Sequence, residues 1–198
     1  MVSLTENKSK VLDFLIRNLY KKNTIRMLAK QLNLSPMGAQ KILKKFETEK
    51  ILIKEKIGNG IFYNIDLNNE VAFKLAELIL TQNKLSSYAR VYARDLEKLR
   101  ENVEACVLFG SVLTKGEDAR DIDVLVIIKE KNFKKVEKGK QEIGRIAIKP
   151  LHFMYQTQKD FENNIKKGDK PLLDVIRTGV VLWGQNLVLL GIKNAIQK

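Results

Sequence analysis

Two aspartates spaced two residues apart, Asp121 and Asp123, are the side chains of this chain best suited to chemistry. In an extended segment, residues two apart point to the same face, so both carboxylates project together while Ile122 points into the core. Adjacent carboxylates repel each other unless a cation lies between them, and Mg²⁺ prefers oxygen ligands together with substrate phosphates. The spacing therefore predicts a metal site for phosphoryl or nucleotidyl transfer.

A candidate phosphate-binding corner, Gly110-Ser111, precedes the aspartates. A glycine at the end of a strand lets the backbone approach a phosphate closely, and the Ser111 hydroxyl adds a donor. Arg120, next to the first aspartate, could hold a triphosphate or could pair with the acids and displace the metal. Short apolar runs at 106–109 and 124–128 are typical of buried strands, which would bring the corner and the acids together.

Gly110-Ser111, the loop 112–120 and Asp121-x-Asp123 together resemble the signature of the polymerase-β-type nucleotidyltransferases in their minimal form. The ending LLDVIRTGVVLWG also resembles that domain, so the resemblance covers about residues 101–190. It implies that Asp121 and Asp123 are catalytic and hold Mg²⁺, and that Gly110, Ser111 and Arg120 bind a nucleoside triphosphate.

The chain departs from this family at the third carboxylate, which active members usually carry on the next strand. Residues 145–155 contain no Asp or Glu, and His152 stands about where that acid is expected. Lone histidines are most often structural, and Mg²⁺ does not favour imidazole. An active enzyme and a domain that only binds nucleotide therefore both remain open.

The N-terminal third predicts three helices followed by a β-hairpin. An apolar stripe marks a helix within residues 5–20, Thr24 caps a second helix, and Ser35-Pro36 begins a third. Two β-prone runs, 51–56 and 61–65, then flank Gly58-Asn59-Gly60, in which Asn-Gly is a strong hairpin signal.

This order resembles the winged helix-turn-helix regulators of the MarR and ArsR kind across nearly all of residues 5–67. The resemblance implies that the third helix lies in the major groove of double-stranded DNA. Base edges would be contacted by Met37, Gln40 and Lys41, and phosphates by Lys44, Lys45, Lys54 and Lys56. Ser35 could contact DNA or serve only as the helix cap. The alternative is a winged helix that contacts protein.

Composition and charge limit the classes of protein. The chain of 198 residues has a formal net charge of +13, and residues 1–69 contain 13 Lys and Arg against 6 Asp and Glu, a net +7 that favours a polyanionic partner. The single cysteine, Cys106, lies in a predicted core strand, which favours a reducing cytoplasm. Without a signal-peptide pattern or an apolar run of about 20 residues, no membrane association is expected.

The expected fold class is α+β with two domains. Residues 1–69 form a winged helix, 70–100 a helical linker, and 101–198 a mixed α/β nucleotidyltransferase-like domain. Within 70–100, a heptad-like seam predicts either a homodimer helix or packing inside the chain, and Asn83 and Ser86-Ser87 could break it into two helices. Residues 143–155 predict one or two strands interrupted by Pro150, and Trp183 is expected in the core.

Three functions are compatible with this organisation. The first is a DNA-binding transcriptional regulator whose second domain binds NTP and Mg²⁺ as effector or substrate. The second is an active, antitoxin-like nucleotidyltransferase that moves NMP onto a protein or small molecule, with the winged helix as a targeting module. The third is a protein-interaction module without chemistry.

Overall fold

The computed structural model of the chain describes residues 4–19, 21–82 and 85–196. It divides the chain into two compact units, Met1–Ile79 and Leu80–Lys198. Tyr20, at the end of the first predicted helix, and Asn83, at the predicted helix break, lie outside the described residues. No helix within the described ranges is long and apolar enough to span a lipid bilayer.

The first unit contains the three helices and the hairpin that the sequence predicts. They are α1 (Glu6–Arg17), α2 (Ile25–Gln31), α3 (Pro36–Thr48), β1 (Leu52–Ile57) and β2 (Gly60–Ile65). The predicted caps are confirmed, because the side-chain oxygens of Thr24 and Ser35 accept the backbone N–H groups of Met27 and Gly38. The helices bury a common apolar core that includes Val11, Leu12, Leu15, Leu28, Ala39, Leu43 and Phe46.

The hairpin turn differs by one residue from the prediction. The antiparallel register pairs Ile57 with Gly60, so the two loop residues are Gly58 and Asn59, and Gly60 is already in β2. The predicted hairpin is therefore confirmed, with a loop one residue shorter than the three-residue run, Gly58-Asn59-Gly60, between the predicted strands. Gly58 has φ +56°, and a glycine at the first loop position is the requirement of a type II′ turn.

The predicted seam in residues 70–100 is only half correct. The structure forms two helices, α4 (Glu70–Thr81) and α5 (Ser87–Leu96). In α5 and the turn after it, the seam is buried as predicted, at Ala89, Tyr92, Leu96 and Leu99. In α4 the seam positions Val71 and Leu78 are 50% and 49% exposed, and the buried face is instead Ala72, Phe73, Ala76, Ile79 and Leu80. Two separate helices need not continue one heptad register, so each buries its own apolar face.

The second unit is built on a four-stranded sheet in the order β5-β4-β3-β6. Its strands are β3 (Ala105–Phe109), β4 (Ile122–Ile127), β5 (Leu151–Gln156) and β6 (Val180–Trp183). Strand β3 is antiparallel to β4 and β6, whereas β4 and β5 are parallel. The remaining helices are α6 (Val112–Lys115), α7 (Phe133–Ile146), α8 (Gln158–Lys166), α9 (Lys170–Thr178) and α10 (Gln185–Ile196).

The alternation of side chains along β4 positions the acids. Ile122, Val124 and Val126 enter a core that also contains residues of α5 and α7. Since neighbouring residues of a strand point to opposite faces, Asp123 projects from the other face, as predicted.

Residues 143–155, predicted as one or two strands interrupted by Pro150, form a single strand after Pro150 and the end of a helix before it. Helix α7 continues to Ile146, with Val136 and Ile143 buried, and β5 begins only at Leu151. These two buried positions lie seven residues apart on one face of the helix, which favours helix over strand, and Pro150 precedes the strand. The prediction that Trp183 lies in the core is confirmed, because it is 5% exposed and its Nε1 donates to the Val103 carbonyl at 3.0 Å.

Candidate active site

The ends of three adjacent strands position the candidate site. Asp121 immediately precedes β4, Asp123 is its second residue, and His152 is the second residue of β5. In the sheet register, Asp123 is paired with His152 on one side and with Phe109, the last residue of β3, on the other. Residues distant in sequence therefore meet at one end of the sheet.

Asp121, Asp123 and His152 form a compact cluster of ligand atoms. His152 Nδ1 lies 3.4 Å from Asp121 Oδ2 and 3.9 Å from Asp123 Oδ1. Each residue offers one ligand atom, and the three atoms lie within 4.8 Å of one another. All three side chains are accessible to solvent, His152 most of all at 60%. A solvated cation or a substrate can therefore reach them.

The predicted glycine corner adjoins this cluster. Gly110 has φ +80°, and a β-carbon at this position would overlap the carboxylate of Asp123. The Asp123 carboxylate and the positive φ therefore both exclude a residue with a side chain at position 110. Ser111 follows at the N-cap position of α6, and its carbonyl accepts the N–H groups of Thr114 and Lys115.

Electrostatics at the cluster favour a bound cation. Burial raises the pKa of Asp123, the charge of Asp121 raises it further, and His152 opposes both effects. Ionisation of Asp123 in the folded protein therefore costs free energy, and a cation bound between the two aspartates would remove that cost.

The donor set fits a divalent ion. In an octahedron with bonds of about 2.1 Å, neighbouring ligand atoms are about 3.0 Å apart and opposite ones about 4.2 Å. The two His152 distances, 3.4 and 3.9 Å, fall within that range. Asp121, Asp123 and His152 could therefore share one ion with small side-chain adjustments.

The structure brings Gly110, Asp121 and Asp123 together as predicted, but it separates Arg120 from the acids. Arg120 is exposed, and within the described part of the second unit it forms no ion pair with either aspartate. The sequence prediction assigns the metal to the aspartates alone, whereas the geometry adds His152. Its position where the family's third acid is expected is the sequence signal for that role.

The predicted DNA-binding residues lie mostly on one surface of α3. Opposite the buried Ala39, Leu43 and Phe46, the helix exposes Met37, Gln40, Lys41, Lys44 and Lys45. The Ser35 oxygen is engaged in the helix cap. Lys54 and Lys56 are exposed on β1, and Lys54 Nζ lies 3.3 Å from Glu47 Oε1 of α3.

Comparison with known families identifies the segment that carries the acids. Residues 93–186 match the family model described as Polymerase beta, Nucleotidyltransferase. The match covers just under half of the chain and includes all four strands of the second sheet, together with Gly110, Asp121, Asp123 and His152. No match to the chain was found among curated proteins or solved structures. Residues 93–186 therefore form a nucleotidyltransferase-like domain.

Proposed function

We propose that the second unit is a divalent-metal-dependent nucleotidyltransferase that transfers NMP from an NTP to a hydroxyl group of a protein or small molecule. The observation that carries this proposal is the convergence of Gly110, Asp121, Asp123 and His152 at one end of the sheet. A glycine corner beside paired acids combines close approach to phosphate with cation binding.

Each residue has a role in this proposal. Asp121, Asp123 and His152 would hold the ion, which would neutralise triphosphate charge and stabilise the departing pyrophosphate. Gly110 leaves room for the Asp123 carboxylate, and the Ser111 hydroxyl and the exposed Arg120 guanidinium would donate to phosphate oxygens. The acceptor hydroxyl oxygen bonds to the α-phosphorus and gives its proton to solvent water, while the bond from that phosphorus to the α–β bridging oxygen breaks and pyrophosphate leaves.

The test is label transfer from α-³²P-labelled NTPs to components of a cell lysate. We expect transfer by the full chain and none by Asp121→Asn with Asp123→Asn. The matched control is Glu117→Gln with Asp118→Asn, which removes two exposed acids from the same loop and should retain transfer. Equal transfer by both double variants would contradict the proposal, and nucleotide binding without transfer would indicate an effector domain.

A second function is proposed for the first unit, on a different observation. The exposed surface of α3 carries three lysines and a glutamine opposite its buried side. Such a surface suits the major groove, with Lys44 and Lys45 contacting phosphates and Gln40 and Lys41 contacting base edges. In this proposal the protein regulates transcription as a homodimer on double-stranded DNA, and the nucleotide acts as effector or substrate.

The DNA proposal is tested by the salt dependence of binding. Lys44→Ala with Lys45→Ala should lower DNA affinity and reduce the slope of log K against log salt by about 2, because each of the two lost phosphate contacts contributes about 0.9. The control, Lys134→Ala with Lys135→Ala, removes the same charge from exposed positions of α7 and should leave the slope unchanged. An unchanged slope in the α3 variant would indicate a protein-contacting surface instead.

A further inference from the structure

We infer that His152 is a metal ligand through Nδ1 and that it adapts the site to a first-row transition ion, such as Mn²⁺ or Co²⁺, in preference to Mg²⁺. This inference rests on the proposed function of the second unit, because it concerns the ion that the same site holds. It also gives a role to the residue at which the chain departs from the usual three carboxylates.

Backbone pairing fixes His152 beside the acids. Strands β4 and β5 are parallel and pair Asp123 with His152, and the N–H of Ile122 donates to the Pro150 carbonyl at 2.9 Å. The backbone between Asp121 and Asp123 is thus hydrogen-bonded to the backbone two residues before His152. The position of the imidazole therefore follows from the sheet itself.

The orientation of the imidazole is that of a ligand. Its Nδ1 lies 3.4 Å from Asp121 Oδ2 and 3.9 Å from Asp123 Oδ1. One ligand atom from each of the three residues lies within 4.8 Å of the other two, so one cation could contact all three side chains. The side chain is 60% exposed, so core packing does not account for this orientation.

Ligand chemistry decides which ion fits best. Mg²⁺ depends on hard, charged oxygen ligands, whereas imidazole nitrogen binds first-row transition ions with an affinity that rises from Mn²⁺ to Co²⁺. A histidine in place of a third carboxylate removes one negative charge, which weakens attraction for every divalent ion. The nitrogen restores affinity only for ions that bind nitrogen well, so the ratio of affinities shifts away from Mg²⁺.

The sequence makes the test unusually direct, because His152 is the chain's only histidine. The full chain is prepared without a histidine tag and loaded with Mn²⁺ alone. Electron spin-echo envelope modulation then reports whether an imidazole nitrogen is bonded to the ion. We expect that coupling in the wild type and its loss in His152→Asp and His152→Ala.

Affinity provides the second measurement. Titration with Mn²⁺ and Co²⁺, and competition with Mg²⁺, should show that His152→Asp lowers the preference for Co²⁺ over Mg²⁺ by about tenfold or more. His152→Ala should weaken Mn²⁺ and Co²⁺ binding without restoring Mg²⁺ binding. Circular dichroism melting curves verify that each variant folds, and the wild-type spectrum tests the inference without any variant.

The outcomes separate this inference from the proposed function. Mn²⁺ bound without imidazole coupling, or an unchanged ion preference in His152→Asp, would overturn the role of His152 while leaving the nucleotidyltransferase site intact. Binding of neither Mn²⁺ nor Mg²⁺ by the wild type and His152→Asp, with or without NTP, would overturn both.

Discussion

The carboxylate of Asp123 occupies the space that a β-carbon on Gly110 would need. The two residues are 13 positions apart in the chain, and the antiparallel pairing of Phe109 with Asp123 brings them together. The glycine at the end of β3 is therefore required by the acid on β4, independently of any phosphate.

The first prediction concerns this contact. Gly110→Ala should displace the Asp123 carboxylate and abolish Mn²⁺ binding, in addition to a backbone cost of about 1–2 kcal/mol for an L-residue at positive φ. The measurements are Mn²⁺ titration and urea unfolding of the apoprotein.

Gly116→Ala is the matched control for that prediction. Gly116 also has positive φ, +57°, but a β-carbon there has no atom within 4 Å. It should also carry a backbone cost, of about 1–3 kcal/mol at its φ and ψ, and leave Mn²⁺ affinity unchanged. Equal loss of Mn²⁺ binding in both variants would show that backbone strain, rather than the contact with Asp123, is responsible.

The acids and their glycine corner could be predicted from the sequence because the signal is local. Alternation places Asp121 and Asp123 opposite the buried Ile122, and short apolar runs mark β3 and β4. The contribution of His152 to the cluster depends on the pairing of two parallel strands separated by helix α7. That register is a long-range property, which periodicity within either strand does not contain.

The incorrect predictions also have physical causes. The seam assigned to Val71 and Leu78 fails because α4 is apolar on more than one side, and the pattern does not determine which side is buried. The hairpin loop is one residue shorter than expected because Gly58 and Gly60 both permit a turn. Only the pairing of Ile57 with Gly60 places Gly58 and Asn59 in the loop. Local propensity thus predicts where helices and strands occur better than it predicts which helix face is buried or how two strands are paired.

The second prediction is a pH dependence of stability. Because the folded state raises the pKa of Asp123, ionisation of this residue disfavours folding, and its cost appears as the pH rises through that pKa. In EDTA, Asp123→Asn should therefore have a larger unfolding free energy than the wild type at pH 7. The difference should vanish below the ordinary aspartate pKa of about 3.9.

With excess Mn²⁺ at pH 7, the wild type should instead be more stable than Asp123→Asn. The ion binds only the folded wild type and stabilises it by mass action. Urea unfolding curves at several pH values, with EDTA or Mn²⁺, measure both effects. If Asp123→Asn is less stable than the wild type in EDTA at pH 7, ionisation of Asp123 does not disfavour folding.

The third prediction separates a structural tryptophan from a nucleotide-stacking one. Trp183→Phe leaves the Val103 carbonyl without its donor and should lower the unfolding free energy by about 1–3 kcal/mol. Nucleotide affinity should not change, because the ring is buried. Arg100→Ala, which removes a guanidinium 5.3 Å from the ring centroid together with its exposed ion pair to Glu97, should cost about 0.5–1 kcal/mol. Weaker nucleotide binding by folded Trp183→Phe would point to stacking.

The last prediction distinguishes the two lysines of β1. Lys54 is paired with Glu47, whereas Lys56 has no carboxylate within ion-pair distance among the residues that the structure describes. Part of the Lys54 charge is already neutralised, so Lys56→Ala should weaken DNA binding more than Lys54→Ala.

Glu47→Gln tests the cause of that difference. Removing the carboxylate should strengthen DNA binding and make Lys54→Ala, in the Glu47→Gln background, as costly as Lys56→Ala. Titration of the four variants against one duplex at fixed salt measures this coupling as a double-mutant cycle. Equal losses for Lys54→Ala with and without Glu47 would mean that the ion pair does not compete with phosphate, and no loss in either background would mean that Lys54 lies outside the DNA contact.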